Sequence, residues 1–113
     1  MAAVYVNNLV VNSGADFSQS FTLEGSDTNS AFDLTNYTVE AQMRKWAGSS
    51  TATSFNATIE SPPTIGQILL RLTSAQTTSL KPGRYVFDVK ILNSGREYKA
   101  VEGAALVRAG VTR

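Results

Sequence analysis

The chain contains 113 residues, carries a formal net charge of +1 at pH 7, and has neither histidine nor cysteine. A chain of this length is expected to form one domain, residues 1–113, and to bury about two-thirds of its unfolded surface. The missing residue types exclude disulfides, Ser-His-Asp and Cys-His nucleophile arrangements, and zinc or copper sites built on imidazole or thiolate. The near-neutral charge argues against binding to nucleic acid through phosphates.

Hydropathy along the chain predicts no membrane partner. No stretch approaches the ~18 apolar residues of a membrane-spanning helix. The N-terminal stretch MAAVYVNNLVV lacks the basic region and the cleavage site of a signal peptide. We therefore expect a protein that is made in a cytoplasm and either stays there or is built there into a larger assembly.

The N-terminal segment 4–11 is predicted to be a strand with apolar side chains on both faces. It contains no charge and no proline, the features that usually prevent an edge strand from pairing with another chain. Either the strand is central and covered within the monomer, or another copy of the chain covers it. The second interpretation predicts a homo-oligomer, with Val4, Val6 and Val10 on one face of the interface strand and Tyr5, Leu9 and Val11 on the other.

Apolar and polar residues alternate with a period of two in the segments that follow, which predicts strands with one buried face. Gly103, inside the last of these strands, indicates a bulge or a close backbone contact. The strands are predicted around residues 17–23, 37–44, 54–60, 68–73, 85–92 and 97–107. The predicted core consists of Phe21, Leu23, Val39, Ala41, Leu70, Leu72, Tyr85, Phe87 and Val89.

One short segment, residues 74–80, breaks this alternation. Ser74 is a good N-cap and a Pro-Gly pair follows at 82–83, so we expect a single helical turn that crosses from one sheet to the other. Turn residues separate the strands at spacings typical of antiparallel sandwiches. The sequence therefore predicts an all-β fold, an immunoglobulin-like two-sheet antiparallel β-sandwich of about seven strands with one short helical crossover.

The acidic residues do not form a recognisable catalytic or metal-binding motif. A carboxylate pair, as in glycosidases, is the enzyme class that the composition leaves open. The acids are scattered, however, over predicted loops and strand exteriors. The segment 27–33 lacks the central glycine and the closing glutamate of a calcium-binding loop. We therefore expect a protein that is not an enzyme and has no catalytic residue, metal site or cofactor.

Basic residues between Lys81 and Lys99 are interleaved with Tyr85 and Tyr98, a mixture that also occurs on nucleic-acid-binding sheets. Acidic neighbours offset them, so we interpret this region as a solvated strand exterior and expect no nucleic-acid partner. Trp46 falls on the polar face of its strand. It is either a further candidate interface residue or a cap on one end of the core.

Three stretches resemble a family of small β-sandwich structural proteins in tailed bacteriophages. Residues 32–37 (FDLTNY) and 42–44 (QMR) are similar to the family's D-L-T-G-Y … Q-I-R pattern, with Asn36 where glycine is usual. Residues 72–89 are similar to its L-T-x-A-Q-T-x-x-L-x-x-G-x-Y-x-Y/F-D-L/V run, which is the most specific of the three. Residues 102–103 (EG) and 111–113 (VTR) resemble its closing strand and V-T-R end.

This resemblance implies a virion structural protein, assembled in the host cytoplasm, that contacts other phage structural proteins in the tail or baseplate. It supplies no catalytic residue. Two alternatives stay open: a head-decoration protein that binds the capsid, and a carbohydrate-active tail domain that uses two carboxylates. The same stretches predict a turn at Asp33 with Leu34 inserted into the core, tolerance of positive φ at Asn36, and a hydrogen bond from Tyr85 to nearby backbone.

Overall fold

The computed structural model describes residues 5–24 and 31–111, whose strands form two sheets. Strands form where apolar and polar residues alternate, because successive side chains of an extended chain point to opposite faces. In chain order the elements are β1 (Tyr5–Val6), β2 (Leu9–Asn12), β3 (Phe17–Thr22), β4 (Thr38–Arg44), β5 (Thr53–Ser54), β6 (Asn56–Ile59), a 3-10 turn (Pro63–Ile65), β7 (Gln67–Leu72), α1 (Ser74–Thr78), β8 (Gly83–Asn93) and β9 (Arg96–Arg108).

The larger sheet has β1 and β2 at one edge, followed by β9, β8, β4 and β5, and the smaller sheet has the order β3, β7, β6. The predicted all-β, two-sheet sandwich is therefore confirmed. The helical crossover is confirmed as well, since α1 leaves β7 of the smaller sheet and leads to β8 of the larger one. Among the described strands, the pairing of β1 and β2 with β9 is parallel, which departs from the predicted antiparallel pattern.

The core lies between the sheets and contains the side chains that the alternation predicted. Tyr85 and Val39 are half-buried and pack against this core instead of lying inside it, because each lies towards one end of its strand. The other seven predicted core residues are fully buried, namely Phe21, Leu23, Ala41, Leu70, Leu72, Phe87 and Val89.

Phe55 marks the point at which the chain passes from one sheet to the other. Its ring centroid lies 6.0 Å from that of Phe17 in the smaller sheet and 6.4 Å from that of Phe87 in the larger sheet. Its backbone N–H donates to the Ala41 carbonyl at 3.0 Å. The prediction of one strand over residues 54–60 is therefore wrong, because burial of this ring ends β5 in one sheet and begins β6 in the other.

The turn before β4 has the conformation that its sequence predicted. The hydroxyl and the backbone N–H of Thr35 both donate to the Asp33 carboxylate and hold the pKa of that carboxyl below its usual value. Leu34 is fully buried, and Asn36 has a φ of 68°. Asparagine is among the residues that adopt this left-handed conformation most readily, so it can stand where glycine is usual.

The helical turn α1 is fixed to the turn between β2 and β3. Its N-cap is Thr73 and not the predicted Ser74, because Thr73 and Gln76 form a reciprocal capping box. The Asp16 carboxylate accepts from the Ser74 N–H at 2.7 Å. Inside the turn, the buried Thr77 hydroxyl donates to the Ala15 carbonyl at 2.9 Å and accepts from the backbone N–H of residue 14 at 3.0 Å.

Replacing Thr77 by valine is expected to lower the free energy of unfolding by about 1–3 kcal/mol. Valine has the same shape but cannot bond to the two backbone groups that this hydroxyl satisfies. Urea denaturation measures the change. Thr78→Val is the matched control because that side chain is exposed, and it should change stability by less than about 0.5 kcal/mol. Equal losses in the two variants would contradict an anchoring role for Thr77.

Candidate functional site

The strands β1 and β2 form an uncharged edge of the larger sheet. They are separated at Asn7 and Asn8, where the chain remains tied to β9: the Asn7 N–H donates to the Glu102 carbonyl at 2.9 Å, and the Ala104 N–H donates to Asn8 Oδ1 at 3.3 Å. No strand in the described part of the chain pairs with the outer side of β2. The interpretation of this segment as a central strand is therefore wrong.

Gly103 allows the N-terminal edge, β1 and β2, to lie in close backbone contact with β9. A Cβ atom at this position would lie 1.6 Å from the Asn7 carbonyl oxygen and 2.8 Å from the Asn7 carbonyl carbon. Both atoms belong to the backbone, so any side chain would have to displace the N-terminal strand. The close backbone contact that the glycine predicted is confirmed.

The structure separates the candidate interface residues of the N-terminal strand into two groups. Val6 is 77% exposed and Val10 is 50% exposed, so both are available to a partner. Leu9 and Val11 are buried in the core, and the prediction that they belong to an interface is wrong because both side chains already pack inside the monomer. Val4 lies outside the described residues, and Tyr5 is described through its backbone, which pairs with Val101.

Exposed apolar side chains continue from this edge across the outer face of the larger sheet. Val10 pairs directly with Leu106 of β9, which is 44% exposed, and Val86 of β8 is 39% exposed on the same face. We call Val6, Val10, Val86 and Leu106 the outer apolar patch. A shallow groove of about 570 Å³ beside it is lined by Val6, Val86 and charged side chains of β4, β8 and β9. Apolar side chains beside charged ones are typical of protein-interaction surfaces.

The charged side chains next to the patch form a ladder between β8 and β9. Lys90 lies 2.8 Å from Glu97, and Lys99 lies 3.2 Å from Glu102 and 3.8 Å from Asp88. The hydrogen bond and the charge of Glu97 raise the pKa of Lys90 above its usual value. Because these lysines are paired with carboxylates, the geometry favours the solvated strand exterior over a nucleic-acid surface.

Trp46 stands apart from the core at the end of β4. Its side chain is 62% exposed, and the Ser49 N–H donates to its carbonyl at 2.9 Å in a tight turn. The interpretation of Trp46 as a cap on the core is therefore wrong. An exposed tryptophan on an ordered turn remains a candidate interface anchor, separate from the outer apolar patch.

Tyr85 fixes the loop that leads from α1 into β8. Its hydroxyl donates to the Lys81 carbonyl at 2.8 Å, which confirms the predicted backbone hydrogen bond. The Lys45 ammonium lies 4.8 Å from the centre of the Tyr85 ring. Such contacts between a cation and an aromatic face contribute about 0.5–1 kcal/mol at exposed sites.

The described residues contain no group of three or more acidic side chains that could hold a metal ion. The acids of the ladder are bonded to lysines, and Asp33 is held in its turn. Within residues 5–24 and 31–111 no helix is long and apolar enough to cross a membrane. The candidate functional site among the described residues is therefore the edge with its outer apolar patch.

Comparisons with known proteins bear on the fold. No family model matches the sequence, and no curated protein is similar to it. A crystal structure of InlP from Listeria monocytogenes is similar, with a TM-score of 0.52 and 13% sequence identity. The likeness covers 93% of this chain but only 27% of InlP. It is a likeness of fold alone. At this identity it carries no information about activity, because one fold supports many functions.

Sequence reasoning did not find the part of the patch formed by Val86 and Leu106. The signal was present, since both are apolar residues at outward positions of alternating strands. Their position beside Val10 depends on the parallel register of β2 with β9, which no local pattern predicts.

Proposed function

We propose that this chain is a structural protein of a tailed bacteriophage particle that makes protein–protein contacts in the tail or baseplate and carries out no chemistry. The resemblance of residues 32–44 and 72–89 to small phage β-sandwich proteins suggests the particle. The observation that carries the contact role is the uncharged, unpaired edge β1/β2, whose exposed Val6 and Val10 continue into the outer apolar patch.

The edge supports a contact role because monomeric β-proteins usually protect such strands. Lysine, proline or a covering loop normally prevents a free edge from pairing with another chain. Here the sequence between Met1 and Ala15 contains neither a charged residue nor proline. We propose that a second copy of the chain covers this edge, so that the protein is a homo-oligomer within the virion.

Immunogold labelling of purified virions tests the location. An antibody against the chain should label the tail or baseplate. Label distributed over the capsid would favour the head-decoration alternative, and no label on the particle would overturn the proposal. The carbohydrate-active alternative is tested separately, because it requires hydrolysis of host polysaccharide that single changes of Asp or Glu to the amides abolish.

Introducing lysine at Val6 and Val10 together is expected to abolish pairing through the edge, which light scattering measures as a fall in the mass of the assembly. Charge at an edge opposes strand pairing, and both side chains already point to solvent, so the monomer should stay folded. Ser20→Lys with Thr58→Lys is the matched control, since both side chains are exposed on the smaller sheet, away from the edge and from the outer apolar patch. A wild-type chain that is monomeric at high concentration would contradict the proposed pairing.

Removing the whole N-terminal strand is a poorer test because Leu9 and Val11 belong to the core.

A further inference from the structure

The two ends of the sandwich carry opposite charge. One end, which we call the helix end, contains α1, the end of β4 at Arg44, and the start of β8 opposite the end of β9. The opposite end, which we call the hairpin end, contains the turn between β8 and β9, the start of β4, and the turn at residues 33–36. The register of the strands therefore shows which charged side chains lie near each end, whereas Asp88 and Glu102 pair in the middle of the larger sheet.

Basic side chains collect at the helix end. Among the described residues at the helix end, the acidic one is Asp16. Its carboxylate already accepts a hydrogen bond from the Ser74 N–H. None of the ion pairs found among the described residues involves a basic group of this end. The basic residues of the helix end are Arg44, Lys45, Arg71, Lys81, Arg84 and Arg108.

Acidic side chains predominate at the hairpin end. Of the three basic residues in this region, Lys90 is bound to Glu97, and Arg96 lies in the turn itself. The third, Lys99, pairs with Lys90 across the hairpin and is bound to Glu102 and Asp88. The acidic residues of the hairpin end are Glu24, Asp33, Glu40, Glu60 and Glu97. The sequence shows no more than a mild excess of basic residues after position 80, whereas the fold concentrates opposite charges at opposite ends.

The separation is large compared with electrostatic screening. The strand β8 is 11 residues long and spans about 36 Å at ~3.3 Å per residue. The Debye length is about 10 Å at 0.1 M salt, so a neighbouring molecule at one end experiences mainly the charge of that end. The nearest opposite charges of the two ends, Glu40 and Arg44, lie about 13 Å apart along β4 at ~3.3 Å per residue. A head-to-tail neighbour would bring unlike charges together, whereas a neighbour placed end to like end would be repelled.

The helix end also offers a cleft into which acidic groups fit. It has a volume of about 430 Å³ and is lined by Lys45, Lys81, Tyr85 and hydroxyl side chains, with no acidic residue among those that line it. Tyr85 holds the Lys81 backbone by a hydrogen bond and contacts the Lys45 ammonium through its ring, so the Lys45 cation is positioned before any partner binds.

From these observations we infer that copies of this chain associate head to tail, with the hairpin end of one copy seated on the helix end of the next. Such a contact joins two different surfaces and therefore generates rings or stacks, unlike edge-to-edge pairing of β2, which forms closed dimers. The inference extends the proposed function, because it supplies a second contact between the repeated copies of a structural protein.

Charge-swap variants of the full chain test the inference. In the first variant, Lys45→Glu, Lys81→Glu and Arg84→Glu change the helix end from six basic residues and one acidic residue to three basic and four acidic ones, so that its net charge becomes negative. In the second, Glu40→Lys and Glu60→Lys make the hairpin end basic. Each variant alone should self-associate about tenfold or more weakly than wild type, because like charges then meet at the contact. An equimolar mixture should recover association, since the acidic helix ends of the first variant fit the basic hairpin ends of the second.

Sedimentation velocity measures the association, and circular dichroism shows that each variant is folded. Ser20→Glu with Thr58→Glu is the control, because both side chains are exposed in the middle of the smaller sheet and should leave association unchanged. Wild-type association should weaken from about 10 mM to about 1 M salt, as the Debye length falls from about 30 Å to about 3 Å. Association through the apolar edge would not weaken in this way, so the two contacts are distinguishable.

Failure of the mixture to recover association would overturn the inference, as would wild-type association that is insensitive to salt. Binding of a DNA duplex by a chain that stays monomeric, abolished by the first variant, would assign the helix end to nucleic acid instead and would also overturn it. Head-to-tail association of the purified chain without labelling of the virion would support this inference while contradicting the proposed function.

Discussion

Replacing Phe87 by alanine is expected to lower the free energy of unfolding by ~3–5 kcal/mol. The Phe87 side chain is 4% exposed, and its ring contacts Phe55, the residue that joins the two sheets. Alanine would leave a cavity where the sheets meet, and the surrounding strands are hydrogen-bonded in place and cannot close it. The midpoint and slope of urea denaturation give the change directly.

Val86→Ala is the matched control for this measurement. Val86 is the neighbour of Phe87 in β8 but points to the outer face, where it is 39% exposed, so its truncation should cost less than about 1 kcal/mol. Because side chains of a strand alternate between faces, the two variants report the orientation of β8. A loss below about 1 kcal/mol for Phe87→Ala, with a larger loss for Val86→Ala, would reverse that orientation.

Replacing Gly103 by alanine is expected to lower the free energy of unfolding by about 2–3 kcal/mol and to detach the N-terminal edge from β9. The added methyl group would overlap the Asn7 carbonyl, which cannot move without breaking the bond from the Asn7 N–H to Glu102. Hydrogen exchange measures the detachment, because the amide of Asn7 should exchange faster while the amides at the centre of β4 remain protected.

Gly48→Ala is the control for the effect of adding a methyl group. A Cβ at that position would make an ordinary contact of 3.7 Å with Trp46, so stability should change by less than about 0.5 kcal/mol. If Gly103→Ala is as stable as wild type and protects the Asn7 amide equally well, the close approach of the strand to β9 does not depend on this glycine.

Local sequence patterns predicted the parts of this fold that depend on local physics. Alternation identified the buried face of β3, β4, β7 and β8, since a strand has a side-chain period of two. The turn at Asp33, the buried Leu34 and the positive φ of Asn36 followed from residue chemistry within a few positions. The glycine at position 103 predicted a close backbone contact, but it did not predict that the partner is Asn7.

Apart from the N-cap of α1, which a local capping box places at Thr73, the features that the sequence did not predict depend on contacts between distant segments. The pattern of residues 4–11 is compatible with a central strand, and only its pairing with β9 shows that it lies at an edge with Leu9 inward and Val10 outward. Phe55 continues a regular alternation, yet its ring fills the gap between sheets and divides the strand. The charged ends likewise depend on strand register, since their members are far apart in the chain.

The parallel pairing of the first strands with the last strand has a consequence for the order of folding. The hydrogen bond between the Ala104 N–H and Asn8 joins residues 96 positions apart. Ribosomes add about 5–20 residues per second, so β2 waits about 5–20 s before its partner strand has been made. During this interval Leu9 and Val11 have no β9 to pack beside, and the nascent chain exposes an apolar, uncharged segment to other nascent chains. The larger sheet is therefore completed only after nearly the whole chain has been synthesised.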